Sequence, residues 1–434
     1  MKNPILRIAL PSIVSNITVP LLALVDTAIA GHLGSPVYIG AIALGGMISN
    51  MIYWLFNFLR MGTGGLTAQA YGAERHDEAL RILLRSLGVA VGFAVLFILL
   101  QSLILLAVFH FVPATPEVEA PARTYFSIII WGAPAVMALY SFVGWFLGMQ
   151  NARFPMYISI AQNVLNIAVS LFLVIGLGLR IEGVATGTVV AQYGGLLLAL
   201  WLWRRRYGHL LTRAHIAGTW QRAAIGRFFS VNRDIFFRTL CLVAVTTCFT
   251  SFGTAIGDLT LAANTLLMQF FILFSFVMDG FAYAGEALGG RYVGAADRTA
   301  FVSLTRQLFA WGAALAAVFT VGYVVGGSAL LRLLTGEADV IATALPYLPL
   351  VCCIPVVSTP AFIFDGLFIG ATATRQMLLS MAAATAVFFA VQAIFPLGNY
   401  LLWTAFLLYL ATRGLMQAFL CRGVVRQAFG RGAL

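Results

Sequence analysis

Apolar runs long enough to cross a hydrocarbon core of about 30 Å recur from one end of this 434-residue chain to the other. That leaves few folds open, because in lipid every backbone polar group must be satisfied internally, and a helix does this within one segment. Hydropathy marks about twelve spans, at 8–33, 41–70, 82–112, 122–149, 154–179, 182–203, 227–255, 260–288, 300–334, 340–371, 376–395 and 398–421. Only 9% of residues are charged and 61% are hydrophobic, whereas soluble domains carry about a quarter charged. The expected fold class is an all-α polytopic membrane protein without a soluble domain of any size.

The formal charge of +11 raises nucleic acid as a partner, but the basic residues are nearly all arginines in short connections, where they orient helices. Basic connections hold Lys2 and Arg7, then Arg75, Arg81 and Arg85, then Arg153, then Arg204, Arg205, Arg206, Arg213 and Arg222, then Arg291 and Arg298, then Arg375, then Arg422 and Arg426. The alternate loops hold only Arg123, Arg180 and Arg332, beside Glu117, Glu119, Glu182, Asp258, Glu337 and Asp339. This alternation places both termini in the cytoplasm and leaves no role for nucleic acid. The partners expected instead are the bilayer and small molecules. Cys241, Cys248, Cys352, Cys353 and Cys421 lack metal-type spacing and read as packing residues; no metal and no cofactor is expected.

The basic stretch 204–227 divides the chain almost in half, setting two expected lobes at 1–215 and 216–434. The halves repeat. Gly144-Trp145-Phe146-Leu147-Gly148, followed by Arg153, aligns with Gly366-Leu367-Phe368-Ile369-Gly370, followed by Arg375, at an offset of 222 positions (366 less 144, 375 less 153). Ala70-Tyr71-Gly72 pairs more weakly with Tyr292-Val293-Gly294, and 34–41 with 257–264. Six helices per repeat give both halves one orientation, with the pseudo-symmetry axis along the membrane normal. Two pseudo-symmetric six-helix lobes around a central cavity can open alternately to either side.

Asp26 stands alone in the apolar run Leu21-Leu22-Ala23-Leu24-Val25-Asp26-Thr27-Ala28-Ile29-Ala30. Ionisable groups at membrane depth are costly and usually face a cavity. Burial disfavours the charged form while a nearby cation or hydrogen bond favours it, so Asp26 is a candidate proton or cation switch.

Three motifs give the chain a family likeness: Val25-Asp26-Thr27-Ala28-Ile29-Ala30-Gly31-His32-Leu33-Gly34, Arg60-Met61-Gly62-Thr63-Gly64-Gly65-Leu66-Thr67-Ala68-Gln69-Ala70-Tyr71-Gly72, and Asp279-Gly280-Phe281-Ala282-Tyr283-Ala284 followed by Glu286. With Asp365-Gly366-Leu367-Phe368-Ile369-Gly370-Ala371, they resemble the multidrug and toxic compound extrusion (MATE) family, and within it the DNA-damage-inducible F branch. The resemblance covers essentially the whole chain. It implies two six-helix lobes and export of lipophilic, often cationic compounds from a bacterial inner membrane, driven by inward protons or sodium ions. It also matches Asp26 to a first-helix carboxylate, Asn166 to a fifth-helix asparagine and Thr188 to a sixth-helix threonine of a cavity in the amino-terminal lobe. Many relatives carry a second aspartate where this chain has Ser170. A sodium ion needs several oxygen ligands and enough negative charge to offset dehydration, so this departure favours protons over sodium.

Physically, Asn163, Asn166 and Ser170 stand at i, i+3 and i+7 and share one helix face. Thr188 and Gln192 make an i, i+4 pair on the next helix. Together they are candidates to hydrogen-bond a charged Asp26 and release it when protonated; the bland alternative is interhelical glue. Pro11 and Pro20 each remove a backbone bond from the first helix and are candidate bending points or static kinks.

Arg60 at membrane depth needs a partner, for which Asp279, Glu286 and Asp365 are candidates. Asp365 is alternatively a contact for cationic substrate. Asp234 and Arg238 read as a local i, i+4 ion pair. The aromatic run Phe270, Phe271, Phe274, Phe276 and Phe281 would suit a flat lipophilic cation or mere packing.

The leading expectation is a monomeric proton-coupled antiporter. A lipid-intermediate or polysaccharide flippase of related fold is the alternative, but would need several cationic side chains for a pyrophosphate, and only Arg60 stands out. A membrane-embedded acyltransferase would need a histidine constellation at one depth; His32, His76, His110, His209 and His215 all fall in or near loops. A carbonyl-lined channel filter is not evident.

Overall fold

The computed structural model describes residues 3–31, 35–111, 115–211, 218–395 and 398–430. Within those helices the side chains at 19, 21–24, 26, 27, 30, 36 and 111 lie outside the description. The Asp26 side chain, His32, Arg213 and His215 therefore stand outside the described residues, although Asp26 belongs to the first helix by backbone.

Among the described residues the regular structure is helical. The first span is α1 (Pro4–Gly31), with Pro4 at its start and the Asn3 side chain accepting from the Ile5 amide at 2.9 Å, which satisfies an otherwise orphaned donor. The second span is broken into α2 (Pro36–Leu55) and α3 (Phe58–Gly72), and the third is α4 (His76–Phe111). The fourth is α5 (Pro116–Ile129) joined to α6 (Ala133–Gly148) through a 3₁₀ turn at Ile130–Gly132. Then come α7 (Arg153–Leu171), α8 (Ile181–Tyr207), α9 (Arg222–Ile256), α10 (Asp258–Gly294) and α11 (Arg298–Leu334). The tenth span is α12 (Ala338–Ala344), α13 (Leu348–Cys352) and α14 (Ile354–Gly370), and the chain ends in α15 (Thr374–Ile394) and α16 (Asn399–Phe429).

Among the described residues ten segments are long and apolar enough to cross a membrane, and the tenth span adds one pair bent by 49°. Helix α1 is 28 residues long, of which Pro4–Thr18 is a described apolar segment; against twelve expected spans, the described residues thus hold ten or eleven. The bend has an identifiable cause. Pro346, Pro349 and Pro355 fall within ten residues, and each removes a backbone donor and crowds the preceding turn.

Contacts divide the chain into two compact units, one of Val14–Ala70 and Arg75–Phe228, the other of Met1–Ile13, Tyr71–Glu74 and Phe229–Leu434. The first turns of α1 thus pack with the carboxy-terminal lobe. Gly280 on α10 makes this possible, because a Cβ there would meet the Ile13 side chain and, at 2.8 Å, the Ala9 carbonyl.

The repeat read from sequence is present in the backbone. Among the described residues four non-glycine residues adopt positive φ, and they form two pairs: Glu74 (58°) with Ala296 (55°), and Gln150 (63°) with Thr372 (53°). Both pairs have the 222-residue offset (296 less 74, 372 less 150). Left-handed backbone is unfavourable for such residues, so its recurrence at matched positions marks a shared turn. The glycine contacts repeat too. A Cβ on Gly144 would strike the Arg60 carbonyl, and one on Gly366 would strike the Ala282 carbonyl, again 222 positions apart (282 less 60).

Each lobe has its own core. Trp145 is fully buried in the amino-terminal lobe, its indole donating to the Ala79 carbonyl at 2.8 Å. In the carboxy-terminal lobe Trp403 donates to Asn264 at 2.8 Å, and Asn264 and Asn399 exchange amide bonds at 2.7 and 3.0 Å. These buried polar groups are satisfied within their lobes, as lipid demands.

Candidate functional site

The expected polar stripe on α7 is assembled against both α1 and α8. Ser170 donates to the Asn166 side-chain oxygen at 3.2 Å, the Asn166 amide donates to the Thr188 hydroxyl at 3.1 Å, and Thr188 donates to the Val184 carbonyl at 3.0 Å. Asn166 and Ser170 are buried, while Asn163 and Thr188 are half-buried. Asn163 turns to α1, where it donates to the Thr18 carbonyl at 3.0 Å.

Close approach of α7 and α8 depends on Gly187. A Cβ there would collide with the Ser170 hydroxyl and come within 2.9 Å of its backbone nitrogen. Immediately after Ser170 the helix widens into a π turn at Phe172–Gly176, a distortion frequent at functional sites. Gln192, expected beside Thr188, serves another place: it fills the space above Gly132, at the break of the fourth span, where a Cβ could not fit. Its buried side-chain oxygen has no hydrogen-bond partner among the described residues.

Two residues unmarked by sequence reasoning extend the stripe downward. Thr18 and Ser159 hydroxyls lie 3.0 Å apart, and Ser159 also reaches the Ser15 carbonyl at 3.4 Å. Their signal was available, since Ser159, Asn163, Asn166 and Ser170 continue one heptad-spaced face.

The secondary candidates are divided between the two lobes. Arg60, buried in the amino-terminal lobe, donates through Nε to Asn57 at 3.2 Å. Asp365 lies in the carboxy-terminal lobe, where Arg238 and Arg413 both bind its Oδ2 and Gln417 binds its Oδ1. All four members are buried. The local Asp234–Arg238 pair expected from spacing is therefore wrong. Asp234 instead binds Arg233 at 3.2 Å and accepts from Thr374 at 3.2 Å, because Arg238 points inward, where an unpaired cation would be costly.

Asp365 is engaged inside its own lobe and is not presented as a free carboxylate. Asp279 and Glu286 lie seven residues apart on α10, Glu286 buried and Asp279 within electrostatic reach of Arg413. Arg413 lay unnoticed inside the last apolar run, although an arginine in mid-span is itself a strong signal. Of the aromatic run, Phe270, Phe274 and Phe281 are buried, with Phe270 packed on Tyr323 at 4.9 Å. Among the described residues no three His, Cys, Asp or Glu gather as metal ligands, and the five cysteines are free.

Apolar helices in two similar lobes, with neutral polar bonds along α7 and α8 in one and a charged knot inside the other, are the architecture of a two-lobe membrane transporter. A match to the MatE family runs over residues 11–172 and 235–395, and the chain belongs to that family of transporters, which are not enzymes. It is 39% identical over 421 residues to DNA damage-inducible protein F of Escherichia coli K12, covering 96% of this chain and 91% of that one. It is also 23% identical to a probable multidrug resistance protein NorM of Thermotoga maritima, covering 79% of this chain and 74% of the relative. In fold it resembles an outward-facing multidrug resistance MATE family transporter, with a TM-score of 0.87 at 17% identity over 98% of this chain and 96% of that one.

Proposed function

We propose that this chain is a secondary antiporter that exports lipophilic cationic compounds in exchange for protons, with Asp26 as the group that gains and loses the proton. The observation that carries this reading is the register of α1 on α7. Ser15, Thr18 and their partners Ser159 and Asn163 advance together along both helices, at sequence separations of 141 to 145. Carried forward at 144 (170 less 26), that register would set position 26 level with Ser170. A carboxylate there would meet hydroxyl and amide groups of the Asn166–Ser170–Thr188 relay, which favour its charged form. Protonation would end that attraction and leave a neutral group on a helix already weakened by Pro20. Alternating access then links inward movement of protons to outward movement of substrate.

Protons are favoured over sodium because the relay is neutral. Ser170 supplies a hydroxyl where a second carboxylate would help offset the dehydration of a metal cation. The flippase reading needs uncommitted buried cations, and the buried arginines of the carboxy-terminal lobe, Arg238 and Arg413, are both bound to Asp365. Arg85 is likewise held by Glu78 at 2.7 Å and the Thr219 carbonyl at 2.6 Å. The arginine-rich connections support an orientation with both termini in the cytoplasm of a bacterial inner membrane, and the expected acting form is the monomer.

The test is efflux of a lipophilic cationic dye from proteoliposomes under a pH gradient or a sodium gradient imposed separately. Wild-type efflux should follow the pH gradient, and Asp26→Asn should fold normally yet lose that response. Efflux driven by sodium alone, or undiminished in Asp26→Asn, would remove the proposal.

A further inference from the structure

The basic end of the sixth span has a pattern that the transport reading does not use. Between Glu182 and Asp234 the sequence holds seven arginines, two histidines and no acidic residue. Arg204, Arg205 and Arg206 are exposed on the last turn of α8, and Arg153 is exposed on the first turn of α7. These ends meet, with the Phe154 and Tyr207 rings 6.4 Å apart. None of the four arginines forms an ion pair among the described residues. The acids at the start of α4 do not compensate them, since Asp77 and Glu78 are already paired with Arg81 and Arg85.

An apolar stripe leads up to this charge. Leu197, Trp201 and Arg205 stand at i, i+4 and i+8 on one face of α8, with Leu197 66% and Trp201 53% exposed. The Arg205 guanidinium lies over the Trp201 ring at 5.3 Å. In a bilayer that face touches acyl chains, and a tryptophan beneath arginines is placed at headgroup depth. Orienting the helix needs positive charge alone; it does not need a stacked guanidinium above an outward apolar stripe.

We infer that this face binds the phosphodiester headgroup of an anionic phospholipid, with Arg153, Arg204 and Arg205 holding the phosphate, Trp201 beneath it at headgroup depth and Leu197 lying along the acyl chain. A guanidinium fork matches phosphate geometry, and a lipid without a headgroup cation leaves the net negative charge that the uncompensated arginines attract. The binding is independent of the coupling ion, so its fate and that of the proton reading are separable.

Native mass spectrometry of the purified full chain, equilibrated with mixed phosphatidylglycerol and phosphatidylcholine, tests this. Wild type should retain phosphatidylglycerol preferentially. The variant Arg204→Gln/Arg205→Gln should lose about fivefold of that preference per arginine, with phosphatidylcholine retention unchanged. Lysine at the same two positions keeps charge and topology and should preserve more of the preference than glutamine. Arg153→Gln, a single exposed change, should cost about fivefold and serves if the double variant does not fold. No preference in wild type, or the same preference in wild type and both glutamine variants, overturns the inference, as does equal loss with lysine and glutamine.

Discussion

Asn166 has both ends of its amide engaged, one by Ser170 and one by Thr188, and this makes the relay sensitive to single atoms. Ser170→Ala removes one donor, should cost about 1 kcal/mol, and should leave efflux measurable because Asn166 keeps its bond to Thr188; thermal melting in detergent and dye efflux check both. The charged knot is less tolerant. Asp365→Asn leaves the buried guanidiniums of Arg238 and Arg413 facing each other without their shared anion, and should destabilise the protein by about 3–5 kcal/mol. A wild-type melting temperature in that variant would show that the knot contributes nothing. At this scale the sequence was legible where spacing creates a stripe, as at Asn163, Asn166 and Ser170. It was opaque for the Asp365 knot, because Arg238, Asp365 and Arg413 lie on three different helices and the nearest acid in sequence, Asp234, was a decoy.

Helices α7 and α8 approach through Gly187, and a methyl group there must push against the backbone of Ser170. Gly187→Ala should therefore cost about 1–3 kcal/mol and reduce efflux more than it reduces stability, since the displaced backbone carries the relay. Helix α1 runs unbroken past two prolines and changes lobe two residues after Pro11. Pro20→Ala restores the backbone bond to Asn16, so it should raise the melting temperature while slowing efflux; faster efflux would contradict a role in bending. Hydropathy placed the spans well but read their polar first turns as loop. The helix of the third span, α4, starts at His76, not 82, and that of the seventh span, α9, at Arg222, not 227. The 3₁₀ break at Ile130–Gly132 and the bent tenth span escaped it because window averages register apolarity, and proline is silent in that measure.

The two lobes share one backbone plan and have diverged in chemistry. Matched left-handed residues and matched glycines preserve the frame, while α7 and α8 of the amino-terminal lobe share neutral amides and hydroxyls and the carboxy-terminal lobe holds an aspartate between two arginines. Equivalent frame positions should respond alike: Gly144→Ala and Gly366→Ala each drive a Cβ into a backbone carbonyl and should lower the melting temperature by similar amounts, whereas Asn166→Leu and Phe388→Leu, also 222 apart (388 less 166), should differ sharply in efflux. The twofold plan was visible in the sequence because close helix packing demands glycine at fixed places. The divergence was not, because it is written in pairings between distant segments. The most direct measurement of the central claim is proton release on substrate binding, followed with a pH indicator in weakly buffered detergent solution as ethidium is added. Wild type should release a proton as ethidium binds, and Asp26→Asn should bind without release. Binding with no proton released by wild type, or with equal release from both, would mean that the first-helix carboxylate does not exchange its proton for substrate.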